Sequence, residues 1–160
     1  MRWEQLGEQN CSVARSLSVF GDRWTLLILR DSFLGIKRFD DFMDDLKLSR
    51  TILTDRLNKL VEHDVLIKVP YQTKPTRYDY KLTEKGRALH PVILAIVQWG
   101  DTFYAEDGEP PVLRTHKKCG HDFQAIVVCS ECSEPIKPQD VTVRVNRNSP
   151  AYKRNALQKA

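Results

Sequence analysis

Residues 38–86 read RFDDFMDDLKLSRTILTDRLNKLVEHDVLIKVPYQTKPTRYDYKLTEKG. Phe39, Phe42, Met43 and Leu46 fall at i, i+3, i+4 and i+7, the spacing of one face of a short helix. Ser49 follows at the place of an N-cap, because its hydroxyl can accept from a free N–H of the next helix. In that second helix Ile52, Leu53, Leu57, Leu60 and Val61 form an apolar stripe. Its other face carries Arg50, Thr51, Thr54, Asp55, Asn58 and Lys59. Hydroxyls, an amide and cations with no large apolar group suit contact with phosphates and base edges in a major groove. The same composition also suits a plain solvated helix face.

The segment that follows favours the first reading. Residues 65–69 are β-branched and apolar, and residues 78–82 alternate as Tyr-Asp-Tyr-Lys-Leu. Residues 70–77 between them hold two prolines and two cations, so the pattern predicts two strands with a polar, basic loop. Two helices, a turn and a hairpin make a winged helix-turn-helix. Lys74 and Arg77 at the tip can each neutralise a phosphate, with Thr76 beside them, and Arg38 stands ahead of the first helix as a further cation.

Charge agrees with this placement. The chain of 160 residues has a net charge of +4. Residues 49–87 hold nine Lys/Arg and five Asp/Glu, and nine minus five is again +4. A mildly basic chain permits nucleic-acid binding without requiring it. The length suits one domain with an appendage. No run of 18 apolar residues offers a membrane span. The first residues, Met-Arg-Trp-Glu-Gln-Leu-Gly-Glu, lack the apolar core of a signal peptide. These features predict a cytoplasmic protein whose four cysteines are reduced. No internal repeat and no low-complexity tract is evident.

Ahead of the decisive stretch, residues 1–10 read as a loose arm whose Trp3 and Leu6 could pack on a partner subunit. Val13, Leu17 and Phe20 share one side of a short helix that Gly21 ends. Asp22 is placed to cap a second, largely buried helix containing Trp24 and residues 26–29. Beyond the hairpin, Thr83 caps a helix with Glu84 in its first turn, where the helix dipole favours an anion. Pro91 predicts a kink or break near His90. Val92, Ile93, Ile96, Val97, Trp99 and Phe103 then give an apolar face that is wide for a helix closing a small domain.

Several of these motifs, in this order, closely resemble the HxlR family of bacterial transcriptional regulators. They are CSVARSLSVFGDRWTLLILRD at 11–31, Arg38-Phe39, ILTDRL at 52–57, YDYKLTEKG at 78–86 and QWG at 98–100. The likeness spans residues 11–100. It implies a winged helix-turn-helix homodimer on a palindromic or repeated operator, acting to repress or activate transcription. It places the recognition helix at residues 49–59 and the wing at 70–77. It also sets Cys11 where some members carry a redox- or electrophile-sensing thiol, which implies a redox or small-molecule effector. A helix N-terminus lowers a thiol pKa; the alternative for Cys11 is a small residue in the dimer interface. The resemblance pairs the helix around Val92 with its mate in a dimer. A twofold dimer would present recognition helices to half-sites ~34 Å apart.

Asp107-Gly108-Glu109-Pro110-Pro111 has linker composition. This divides the chain into a DNA-binding and dimerisation domain, 1–106, and a C-terminal Cys/His module with a basic tail, 107–160. In the module His116, Cys119, His121, Cys129 and Cys132 give the spacing H-x2-C-G-H…C-x2-C around a β-type run at 123–128. This fits a small zinc ribbon, with three thiolates and His116 as ligands and His121 as the competitor for the fourth place. Zn²⁺ is thus an expected structural cofactor; unliganded cysteines in a small hairpin, or a Cys129–Cys132 redox pair, are the alternatives. A deaminase would need His-x-Glu and Pro-Cys-x-x-Cys. Here no Glu accompanies Cys119-Gly-His121, and Val128 precedes Cys129. No nucleophile elbow, phosphate loop or paired-His helix is present either, so an enzyme is not expected. The tail carries Arg144, Arg147, Lys153, Arg154 and Lys159, which could add phosphate contacts.

The fold class expected is therefore mainly α (α+β): a winged helix-turn-helix, a dimerisation helix and a small β-rich, zinc-ribbon-like module. The leading function is a sequence-specific DNA-binding regulator, a repressor, acting as a homodimer. The alternative is a metal- or redox-sensing protein-interaction module.

Overall fold

The computed structural model describes residues 3–144, 146, 148 and 149, with side chains from residue 5. Trp3 as a packing side chain and the tail cations Arg147, Lys153, Arg154 and Lys159 lie outside that set. The chain divides into two compact units, Met1–Val97 and Gln98–Ala160.

The first unit opens with a 3₁₀ helix, Trp3–Glu8, where a loose arm was expected. Arg15 explains the order: its guanidinium donates to the Gln9 carbonyl at 2.8 Å and to Asn10 Oδ1 at 3.1 Å. Helices α1 (Ser12–Phe20) and α2 (Arg23–Phe33) follow. Asp22 caps α2 as the sequence predicts, accepting from the Thr25 N–H at 3.1 Å. Then come α3 (Phe39–Leu46), α4 (Arg50–Glu62), β1 (Leu66–Thr73), β2 (Thr76–Leu82), α5 (Glu84–Arg87) and α6 (His90–Tyr104). Mainly helical, with one antiparallel two-stranded sheet, this is the winged helix-turn-helix expected.

The core is where the apolar periods put it. Ile28, Leu29, Phe42, Leu53, Leu57 and Leu60 are fully buried together with Val65 and Leu66. Ile52 departs from the expected stripe and is exposed. A rotation of 100° per residue sets it more than 90° from the shared direction of Leu53, Leu57 and Leu60, off the buried face. The α3–α4 turn is tight because Lys47 takes a left-handed conformation, φ 50°.

The hairpin corrects the expected wing. Strand β1 runs to Thr73 and β2 begins at Thr76, so Pro70, Gln72 and Thr73 pair with Tyr78, Arg77 and Thr76, and only Lys74-Pro75 forms the turn. The register shifts between Pro70 and Gln72, leaving Tyr71 as the extra residue beside a proline that cannot donate to the ladder. The wing is anchored at its base. Asp79 of β2 is buried and faces Lys37 Nζ at 3.3 Å and Arg38 Nε at 3.7 Å, while the Tyr80 N–H donates to the Lys37 carbonyl at 2.7 Å.

After β2, the Thr83 hydroxyl accepts from the Gly86 N–H at 3.0 Å, the predicted cap. The predicted break falls between Arg87 and His90, and Pro91 becomes the second residue of α6, where its missing N–H costs nothing. On α6, Val92, Ile96, Trp99 and Phe103 recur at i, i+4, i+7 and i+11 and are exposed by 40, 47, 57 and 66%.

The second unit has no strand among its described residues, contrary to a β-rich module. The run at 123–128 forms no ladder. Order comes from two compact loops, each closed by one isolated bridge: Thr115 with Asp122, and Val128 with Pro135.

Candidate nucleic-acid interface

Helix α4 presents the polar surface read from its sequence. Ser49 caps it, its hydroxyl accepting from the Ile52 N–H at 3.4 Å. With Leu53, Leu57 and Leu60 buried, helical geometry turns Thr51, Thr54, Asp55 and Asn58 outward, and all four are exposed. Asn58 is not alone: Lys68 of β1 donates to its Oδ1 at 2.8 Å, so the wing touches the helix it flanks. Lys59 sits apart. It is half-buried beside Gly21, Asp22 and Arg56, which line a recess of about 270 Å³. Burial holds the Lys59 pKa below its ordinary value, against the pull of Asp22.

Arg50, at the start of α4, lies 5.0 Å over the Phe39 ring. It also faces Asp40 Oδ1 at 3.9 Å. Arg77 of the wing faces the other oxygen of the same carboxylate at 3.7 Å. Arg38 stacks 4.6 Å from the centroid of Tyr71. Phe39, Asp40, Arg50, Tyr71, Thr76, Arg77, Tyr78 and Tyr80 line an open recess of about 310 Å³ between α3, α4 and the wing. Thr76 donates to the Thr73 carbonyl at 3.2 Å across the tip, and Lys74 is exposed there.

The structure therefore gathers Arg50, Thr76 and Arg77 around one recess, stacks Arg38 on the Tyr71 ring that helps line it, and carries Ser49, Thr51, Thr54 and Asn58 along the adjoining helix. It adds Asp40, Lys68, Tyr71 and Tyr78, which the sequence reading missed. Asp40 had one available signal: it is an acid in the first turn of a helix, beside an aromatic that a cation could cover. The Lys68–Asn58 contact had none, because it depends on the twist of the hairpin.

Asp22 links this surface to the core. Its carboxylate accepts from the Thr25 hydroxyl and N–H and pairs with Arg56 Nε at 3.0 Å. Burial pushes its pKa up, but the Thr25 hydrogen bonds and the charges of Arg56 and Lys59 outweigh that and hold it below 3.8.

In the second unit His116 Nδ1 and Cys119 Sγ are 3.3 Å apart. Backbone N–H groups of Cys132 and Glu131, and the Cys132 thiol, hold the Cys129 thiol pKa below its ordinary value. Among the described residues, no three His, Cys, Asp or Glu side chains are gathered in a group that could hold a metal. The His121 carbonyl accepts from the His116 N–H at 2.8 Å. Cys11 is exposed at the N-cap of α1, with no capping hydrogen bond from its side chain. No helix of the described residues is long and apolar enough to cross a membrane.

The chain is 40% identical over 131 residues to Rv3095 of Mycobacterium tuberculosis, an uncharacterized HTH-type transcriptional regulator, covering 82% of this chain and 83% of that one. It is similar to the crystal structure of PA1607, a candidate transcription factor, with a TM-score of 0.77 and 37% identity over 86% of this chain and 96% of that one. The redox regulator HypR in its oxidized form matches with a TM-score of 0.53 and 30% identity, over 57% of this chain and 96% of its own. The HxlR-like helix-turn-helix profile covers residues 19–108. The chain is a transcriptional regulator of the winged helix-turn-helix type and belongs to the HxlR-like family.

Proposed function

We propose that the chain is a homodimeric, sequence-specific repressor. Helix α4 enters the major groove with Arg50, Thr51, Thr54 and Asn58 toward base edges, and Ser49 toward the backbone. Lys74, Thr76 and Arg77 of the wing, with Arg38, meet phosphates or the neighbouring minor groove. The observation that carries this reading is the exposed polar face of α4 beside a wing whose arginine shares a recess with Arg50. Lys59 would contribute from the edge of that face.

The dimer reading is supported by the outward apolar row of Val92, Ile96, Trp99 and Phe103 on α6, and by exposed Val13 and Leu17 on α1. A twofold pairing of α6 would set the two reading helices on successive half-sites. On this reading α6 works with the first unit, and the functional boundary is the linker-like segment near residues 106–107. The test is sedimentation together with retention on DNA fragments flanking the chain's own coding region. A dimer that retains particular fragments is expected, and Ile96→Asp should yield a monomer with weak retention. A monomeric wild type would remove the half-site geometry.

A second reading concerns the signal. HypR is a redox regulator, and Cys11 here is exposed at a helix N-terminus. A thiol so placed is open to oxidants or electrophiles, which makes DNA release on thiol oxidation the natural effector response. Retention of operator by Cys11→Ser under oxidant, where wild type is released, is the expected outcome; equal release of both would set Cys11 aside.

A further inference from the structure

The two loops of the second unit are the same structure, repeated thirteen residues apart (116 to 129). Beyond the paired spacing H-x2-C and C-x2-C, the sequence gives little hint of it, since RTHKKCGHDF and VVCSECSEPI share only one identical position, the cysteine at 119 and 132. Three backbone hydrogen bonds coincide, while a fourth, from the Cys119 N–H to the His116 carbonyl at 3.2 Å, occurs in the first loop alone among the described residues. The His116 N–H donates to the His121 carbonyl at 2.8 Å, and the Cys129 N–H to the Glu134 carbonyl at 2.9 Å. The Gly120 N–H donates to the His116 carbonyl at 2.8 Å, and the Ser133 N–H to the Cys129 carbonyl at 2.9 Å. The Phe123 N–H donates to the Arg114 carbonyl at 3.0 Å, and the Ile136 N–H to the Val127 carbonyl at 2.9 Å. The bridges Thr115–Asp122 and Val128–Pro135 match as well. Gly120 and Ser133 both take left-handed backbone, φ +74° and +62°. At Ser133 that conformation is one a non-glycine residue rarely adopts without a reason.

The equivalence assigns chemistry. His116 stands where Cys129 stands, and Cys119 where Cys132 stands. Each loop thus offers two metal-ligating side chains three residues apart on one tight turn, ahead of a left-handed residue. His121 falls at the position of Glu134, outside both pairs. In the first loop the ligating atoms already lie 3.3 Å apart.

The unit also needs a cross-link. No described residue from 112 to 144 is buried, and Phe123, Ile126, Val127, Val128 and Ile136 stay between 39 and 70% exposed. A segment this small, with no apolar interior, requires a staple to hold a fixed fold. Three thiolates and one imidazole select Zn²⁺ over the hard cations.

We infer that the two loops are half-sites for one structural Zn²⁺, with His116 and Cys119 from the first and Cys129 and Cys132 from the second. Binding converts three thiols to thiolates, which release their protons to solvent as the zinc–sulfur bonds form. His116 binds through a neutral ring nitrogen. Metal binding draws the two halves into one tetrahedral centre and so couples to folding of this unit.

The test uses the full chain, reduced, stripped with a chelator, reloaded with Zn²⁺ and freed of excess ion before elemental analysis. One Zn²⁺ per chain is expected. His116→Ala, Cys119→Ser and Cys132→Ser should each lose most of it, while His121→Ala keeps it. With Co²⁺ in place of Zn²⁺, the visible bands of tetrahedral cobalt and the thiolate charge-transfer band should appear in wild type and His121→Ala alone. Unchanged helical circular dichroism in the variants shows that loss of metal is not loss of the first unit. A wild-type chain that holds no zinc, or a Cys129→Ser/Cys132→Ser double variant that still holds a full equivalent, would overturn the site. Loss in His121→Ala with retention in His116→Ala would overturn the ligand assignment. None of these results bears on DNA binding, so the two readings fail separately.

Discussion

Lys68 Nζ on the first wing strand donates a hydrogen bond of 2.8 Å to Asn58 Oδ1 on α4. An ammonium has only donors, so the atom facing it is the amide oxygen, and the Asn58 NH₂ is left pointing to solvent. In the proposed complex Asn58 then serves chiefly as a donor toward N7, O6 or O4 acceptors in the groove. Lys68→Met frees the oxygen and permits the bidentate pairing with adenine. The prediction is a changed base preference at one position per half-site, read from binding to a library of single-substituted operators. An unchanged preference at every position would mean that the contact does not survive on DNA.

Arg50 and Lys74 should separate specificity from affinity. Arg50 opens the reading helix, and Lys74 occupies the two-residue turn of the wing. Arg50→Ala is expected to cost about 1–3 kcal/mol on the best operator and much less on random DNA. Lys74→Ala should weaken all sequences alike and reduce the salt slope by about one unit per subunit. Titration of both variants on operator and random DNA checks this; identical behaviour of the two would misplace the reading surface.

Asp40 holds Arg50 and Arg77 at 3.9 and 3.7 Å in the free protein. In the proposed complex, DNA would have to displace it from both arginines. Ion pairs this exposed stabilise little on their own, so Asp40→Asn should leave thermal unfolding almost unchanged. Both arginines are then released, and affinity for random DNA should rise several-fold while discrimination narrows. Affinity measured on both DNA types decides: no gain on random DNA would show that the carboxylate does not compete with phosphate.

Asp22 predicts a pH dependence. Its folded pKa lies below the ordinary 3.8, so it binds fewer protons folded than unfolded near that pH. The stability it contributes is therefore complete above the unfolded pKa and is lost as pH falls through the lower folded value. Asp22→Ala removes the cap of α2 and should lower stability by about 1–2 kcal/mol at neutral pH. Asp22→Asn keeps a capping oxygen but should flatten the acid limb below pH ~4. Denaturant titrations from neutral pH into that range test the sign; an acid limb unchanged in Asp22→Asn would contradict it.

Much of the DNA-facing unit was legible because its signals are local. The caps Asp22, Ser49 and Thr83 and the stripe of Leu53, Leu57 and Leu60 each follow from neighbours a few residues away. The wing boundaries were not, because Gln72 and Thr73 pair with Arg77 and Thr76 across a turn shorter than the two prolines suggested. The Asp40 clamp also joins three segments distant in sequence. The repeat in the second unit was largely hidden for another reason. It lives in backbone hydrogen bonds that RTHKKCGHDF and VVCSECSEPI make with almost no shared side chains.

In the proposed complex, two copies of the winged helix read a DNA sequence through phosphate and base contacts. The most direct measurement is the affinity of the purified protein for a retained fragment and for a scrambled one, each followed across salt concentration. Arg38, Lys74 and Arg77 in two subunits would release counterions from six phosphates, giving a slope of log K against log salt of about −5. A slope of that order, with the retained fragment bound about 10³-fold or more tightly than the scrambled one at equal salt, is the predicted result. Equal affinity for both fragments, or affinity that does not fall with salt, would contradict it.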